Sequence, residues 1–154
     1  MAERPHLPAA DTGAVSTAQH PMNATVLVVE DEVLIRVAAC DELRARGYVV
    51  IEAVSADEAL SVLRSPVQVN LVLTDLKMPG AMDGAALVKL IRAEFPFLKV
   101  IMVSGQAPDP AIRALLDGYF PKPVAPSEIA SFLQQLTSAR VTKSDDRERG
   151  SLAS

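Results

Sequence analysis

The chain has no tryptophan, one cysteine, two tyrosines and four phenylalanines among 154 residues. A single Cys40 excludes a disulfide framework and a thiolate metal cluster; its neighbours Val37-Ala38-Ala39 make it a small hydrophobe buried on a helix. The first residues lack a charged segment leading into an apolar core, and no apolar run approaches the roughly 20 residues of a membrane span. The expectation is a soluble cytoplasmic protein with no membrane association. The formal charge of −4 and the absence of a basic patch with interleaved aromatics give no reason to expect nucleic acid as a partner. Only two histidines occur, His6 and His20, both in a proline-containing leader without candidate partners, which leaves them no metal-binding or catalytic role. What remains is aliphatic: 49% of the residues are hydrophobic, in a length that suits one domain with a real core.

Residues 1–23 show no hydrophobic period and are expected to be a disordered leader. Residues 139–154 mix both charge signs with Ser and Gly and are expected to be a disordered, solvated tail. Between them, strand and helix patterns alternate over 24–138. Strands are expected at 25–30, 48–53, 69–74, 98–103 and 118–121, and helices at 33–46, from Ser55, at 84–94, near 109–117 and at 126–137. Leu34, Val37, Ala38, Asp41 and Leu43 mark the mostly apolar face of the first helix, and Gly47 its stop. Ser55-Ala56-Asp57-Glu58 fits a reciprocal capping box. Pro121 cannot donate to a ladder, which puts the last strand at a sheet edge. Alternating units of this size imply a parallel sheet with helices on both faces.

Each apolar strand run ends in a polar piece: Glu30-Asp31, Asp75, Ser104 and, after the short last run, Lys122-Pro123. Open parallel α/β sheets bind ligands outside the carboxyl ends of their strands, so these residues converge on one rim. Taken singly, each is ordinary turn or surface chemistry. Together, three carboxylates, a hydroxyl and an ammonium make a phosphoryl-transfer site. The carboxylates would repel one another unless a cation lay among them, and Mg²⁺ prefers such oxygen donors.

The motifs Val28-Val29-Glu30-Asp31-Glu32, Thr74-Asp75-Leu76-Lys77-Met78-Pro79-Gly80, Met82-Asp83-Gly84, Val103-Ser104-Gly105 and Pro121-Lys122-Pro123 follow one another across residues 25–137. In this the chain resembles the receiver domain of bacterial two-component response regulators. The resemblance implies a flavodoxin-like (βα)5 fold of strand order 2-1-3-4-5. It also implies an Asp75 nucleophile that takes a phosphoryl group from a histidine kinase or histidine phosphotransfer protein. Mg²⁺ would be held by Asp31, Asp75 and the Lys77 backbone carbonyl, with Glu30 acting mainly through water. Lys122 and Ser104 would each bind a phosphoryl oxygen, Ser104 and Tyr119 would form the switch, and the Lys122–Pro123 bond would be cis.

Two departures from the common pattern stand out. Gly80 and Ala81 put two residues between Pro79 and Met82 where many receivers have one. Only 17 residues separate Ser104 from Lys122, with Pro108 and Pro110 among them, so the fourth helix is expected to be short and its neighbourhood mobile. The shortening reshapes the face on which a downstream protein or a phosphorylation-dependent dimer would form. The reading is a stand-alone signalling switch without turnover of an external substrate. A phosphate sink or relay shuttle is the alternative within the same fold. An Asp-nucleophile phosphatase normally needs a second Asp two residues after the nucleophile, where Lys77 stands. A nucleotide or flavin binder lacks its glycine-rich loop after the first strand.

Overall fold

A computed structural model describes residues 24–149, with side chains described through Ser138. The leader expected at 1–23 lies outside the described residues. Ten elements alternate: β1 (Thr25–Val29), α1 (Val33–Ala45), β2 (Val49–Ala53), α2 (Ala56–Leu63), β3 (Leu71–Thr74), α3 (Gly84–Glu94), β4 (Lys99–Ser104), α4 (Pro110–Arg113), β5 (Gly118–Pro121) and α5 (Pro126–Arg149). The five strands form one parallel sheet in the order β2-β1-β3-β4-β5, as expected. β5 lies at an edge with Pro121 opposite Ser104, where a residue without an N–H costs no ladder bond.

Period-two alternation sorts the strand side chains between two cores. Leu27, Val29, Val72, Val100 and Met102 pack beneath α2 and α3 with Ala59, Leu60, Leu87, Val88 and Ile91. Val26, Val28, Leu73, Ile101 and Val103 pack beneath α1 and α5 with Cys40, Leu43, Ile129 and Leu133. Both faces of the central strands are dry, which is why their sequences are unbroken apolar runs. Gly47 ends α1 at φ +93°, with its N–H on the Arg44 carbonyl at 3.0 Å.

Three local expectations need correction. The buried face of α1 is Ala39, Cys40 and Leu43, while Leu34, Val37, Ala38 and Asp41 are exposed. Apolar residues occupy both sides of this helix, so its period alone does not choose the buried side, and tertiary packing does. At α2 only half of the capping box forms: Glu58 N–H donates to Ser55 Oγ at 3.2 Å, while among the described residues no bond returns from the exposed Glu58 carboxylate. The backbone of α5 continues to Arg149, past the Thr137 end expected from the sequence. No Gly or Pro interrupts 138–149, and Gly150 is the first residue that can stop it.

Candidate functional site

The rim forms because β1 and β3 are adjacent and in register, with Val29 opposite Thr74. Glu30 and Asp75 each follow their strand directly, and the Asp75 N–H donates to the Val29 carbonyl at 3.1 Å. Both side chains are buried, as is Ser104 at the end of β4. Lys122 leaves β5 on the opposite side, and its N–H bonds the Ser104 carbonyl at 2.9 Å. The following Lys122–Pro123 peptide is cis, as the resemblance implied.

Lys122 Nζ donates to Asp75 Oδ2 at 2.9 Å and to Glu30 Oε2 at 3.1 Å. The other Asp75 oxygen, Oδ1, accepts the Leu76 N–H at 2.6 Å, and Glu30 Oε1 accepts the Glu32 N–H at 3.2 Å. Burial pushes the Glu30 carboxyl above its usual pKa, the nearby Asp75 charge adds to this, and the Glu32 N–H and Lys122 oppose it. Burial by itself would lower the Lys122 ammonium, but the hydrogen bonds to Asp75 and Glu30 outweigh it and its pKa is raised. Lys122 is therefore a fixed cation between two buried carboxylates.

Asp31 completes the acidic group: one carboxylate oxygen each from Glu30, Asp31 and Asp75 lie within 4.8 Å of one another. Oxygens on opposite sides of an octahedral Mg²⁺ are roughly 4 Å apart, so these hard oxygen donors fit such an ion after a small inward movement. Lys77 is exposed two residues after Asp75, and among the described residues nothing hydrogen-bonds to its carbonyl. The Ser104 hydroxyl accepts the Gln106 N–H at 3.2 Å and has no hydrogen bond to Asp75 or Lys122 side chains. Tyr119 is half-buried; its hydroxyl donates to the Ser104 carbonyl at 3.4 Å, and Arg113 lies 6.0 Å from its ring centre.

Some features of the site escape a reading by residue type. Gly84 opens α3 with its N–H on the Leu76 carbonyl at 2.8 Å. A Cβ there would lie 2.0 Å from the Asp75 carbonyl oxygen, so only glycine lets α3 approach the Asp75 backbone. The same carbonyl accepts the buried Thr74 hydroxyl at 2.9 Å. The signal available in sequence was a glycine at the first position of a helix, a poor helix former kept where its capping Asp83 already stands.

The family profile described as response regulator receiver domain matches residues 26–134, and the chain belongs to that family. It is 38% identical over 119 residues to the sensor kinase CckA of Brucella abortus, covering 74% of this chain and 12% of that protein. It is 37% identical over 108 residues to a response regulator receiver protein of Anaeromyxobacter sp., covering 70% of this chain and 43% of that one. The chain thus spans less than half the length of these curated relatives. Among solved structures, a CheY-like receiver domain protein from Methanospirillum hungatei aligns with a TM-score of 0.70 at 27% identity, over 78% of this chain and 98% of that one. The response regulator TrrA of Thermotoga maritima, solved in complex with Mg²⁺-BeF, aligns with a TM-score of 0.68 at 28% identity, over 73% and 98%. Among the described residues, no helix is long and apolar enough to cross a membrane.

Proposed function

We propose that this receiver domain is a phosphoacceptor switch in which Asp75 takes a phosphoryl group from a histidine of a kinase or phosphotransfer protein. The observation that carries the reading is the buried Asp75 carboxylate held between the Lys122 ammonium at 2.9 Å and the Leu76 N–H at 2.6 Å. An Asp75 oxygen attacks phosphorus, the phosphorus–nitrogen bond to the donor histidine breaks, and the electron pair returns to the imidazole. Glu30, Asp31, Asp75 and the Lys77 carbonyl would hold Mg²⁺, an ion with which the Thermotoga relative was solved. When bound, the cation neutralises charge on the acidic group and on the transferring phosphoryl oxygens. Lys122 exchanges its carboxylate bond for a phosphoryl oxygen, a charge-assisted pairing that rewards the phosphorylated arrangement selectively. The Ser104 hydroxyl, which now only accepts from Gln106, has its proton to donate to another phosphoryl oxygen. Tyr119, bonded to the Ser104 carbonyl, then reads that movement out to a downstream protein.

The reading includes a cytoplasmic location and no turnover of an external substrate, because no acid–base carboxylate stands at Lys77. Val33, Leu34 and Val37 are exposed at the start of α1, directly after the acidic loop, and offer an apolar surface for the phosphodonor. The test is labelling with acetyl phosphate and Mg²⁺. The protein should gain one hydroxylamine-sensitive phosphoryl group, and labelling that persists in Asp75→Ala would remove the assignment.

A further inference from the structure

Glu30 is held at every polar atom of its backbone as well as at its side chain. Its N–H donates to the Ala53 carbonyl on β2 at 3.1 Å. Its carbonyl accepts Arg36 Nη1 at 2.9 Å. Arg36 stands one turn into α1, and its side chain is only 13% exposed. Its Nε donates to Glu52 Oε1 on β2 at 3.2 Å, and the other Glu52 oxygen accepts Arg44 Nη2, also at 3.2 Å. The two guanidinium groups hold the Glu52 carboxyl below its usual pKa, Arg44 contributing more. The planar fork of Arg36 thus spans two elements: one prong fixes the carbonyl at the root of the acidic loop, the other is anchored on the edge strand.

We infer that Arg36 is a positioning residue for the cation site: through the Glu30 carbonyl it sets the path of Glu30-Asp31-Glu32, so that the Glu30 and Asp31 carboxylates face Asp75. The inference rests on the phosphoacceptor reading and extends it to a residue that touches neither the phosphoryl group nor the cation. The geometry calls for such a support. Three carboxylates near one another repel, and Lys122 neutralises Glu30 and Asp75 without any hydrogen bond to Asp31. The Asp31 backbone follows the Glu30 carbonyl, so a clamp on that carbonyl limits the loop's freedom to splay its carboxylate toward water. Groups that orient ligands from behind typically govern metal affinity by about 10- to 100-fold.

The sign of the effect separates positioning from charge. Arg36 is a cation on the far side of the acidic loop, so by charge alone its removal would tighten binding of a divalent cation. Loss of positioning would weaken it. A merely structural role would lower the melting temperature and leave cation affinity, measured well below that temperature, unchanged. The experiment is a titration of the full chain with Mg²⁺ alone, followed by backbone amide shifts at 25 °C, with thermal melts alongside. Arg36→Met keeps the apolar stem and should weaken Mg²⁺ binding about 10-fold or more. Arg36→Lys, which keeps the charge but cannot bridge the Glu30 carbonyl and Glu52 together, should fall between Met and wild type. Because Arg36→Lys holds the charge constant, its weaker binding cannot be an effect of charge, and it keeps the test open if Arg36→Met fails to fold. Affinity within twofold of wild type, or tighter, in the folded variants would overturn the positioning role. Failure of the wild-type protein to bind Mg²⁺ would instead overturn the phosphoacceptor reading, and this inference with it.

Discussion

Replacing Gly84 by Ala tests how α3 sets Asp75, the proposed nucleophile. The new Cβ would lie 2.0 Å from the Asp75 carbonyl oxygen and 2.9 Å from both Asp75 C and Leu76 Cα. Ordinary carbon–oxygen contact needs well over 3 Å, so the two segments must separate by about 1 Å. All three obstructing atoms are backbone, and no rotamer change relieves the clash. Separation strains the Gly84 N–H bond to the Leu76 carbonyl at 2.8 Å and drags the β3–α3 loop that begins at Asp75. Overpacking of this kind costs about 1–3 kcal/mol, against which alanine's better helix propensity returns at most about 1 kcal/mol. A net loss of about 1–2 kcal/mol should lower the melting temperature by roughly 3–12 °C. The chemical effect should be larger, because misplacing a reacting group by 1 Å can cost on the order of 100-fold. The assay pairs thermal melts with the initial rate of acetyl-phosphate labelling, the rate being measured well below the lower melting point. We expect the rate to fall at least tenfold in protein that is still folded. Wild-type stability together with a wild-type rate would refute the argument that glycine is required for the approach of α3 to Asp75.

Asp31→Ala should weaken Mg²⁺ binding and reduce labelling at least tenfold, and efficient labelling of the wild-type protein in excess chelator would contradict the cation's role. Leu34→Asp, at a side chain 84% exposed, should leave acetyl-phosphate labelling intact while slowing transfer from a phosphorylated kinase; equal slowing from both donors would show that α1 is not the docking surface. Burial raises the Cys40 thiol to about 11, so at pH 8 roughly one molecule in a thousand carries the thiolate, against about a quarter for an ordinary cysteine. Ellman's reagent should therefore react at least 100-fold faster with unfolded than with native protein, and the native rate should rise with pH up to about 11. Hydrogen exchange should divide the segment after β4, fast over 105–109 and slow over 112–117; uniformly fast exchange through 117 would show the α4 region to be unpinned.

Much of this architecture was legible because a parallel sheet buries both faces of its strands. The runs Val26 to Val29 and Leu71 to Thr74 are buried throughout, and the first charged residue after each marks the rim. Glu30, Asp31, Asp75 and Lys122 were found by that rule, and the distances bring them together. The inward face of α1 was not legible. Val33, Leu34, Val37 and Ala38 are as apolar as Ala39, Cys40 and Leu43, so periodicity could not choose between them. The choice was made by tertiary packing, which sets Ala39, Cys40 and Leu43 in one core with Val26 and Val28. The roles of Gly84 and Arg36 were hidden for a related reason: both act on backbone carbonyls, which no residue type advertises.

The shortened stretch between β4 and β5 shows how the same fold can redistribute its freedom. With Pro110 at its start and Asp109 capping Ala111 at 2.9 Å, α4 is a single turn, anchored by buried Ile112. A turn this short has no stability of its own. What holds the following residues is Arg92 of α3. Its Nε donates to the Leu115 carbonyl at 2.8 Å and its Nη2 to Asp117 at 2.9 Å, while the same Asp117 oxygen accepts the Val100 N–H at 2.8 Å. The end of the segment is thereby fastened to α3 and β4, and its beginning, Gly105 to Ala107, is left exposed. On the proposed switch reading, a movement of Ser104 has two ways out. One is through the Gln106 N–H into the exposed loop, and the other is through the Ser104 carbonyl to Tyr119 and its neighbour Arg113. Neither route passes through the clamped residues Leu115 and Asp117. A rearrangement on phosphorylation should therefore reshape 105–109 and the Tyr119 ring, while Leu115 to Gly118 keep their place. Shifting α4 as one body with the residues through Asp117 would require breaking Arg92 from Leu115 and Asp117 at once.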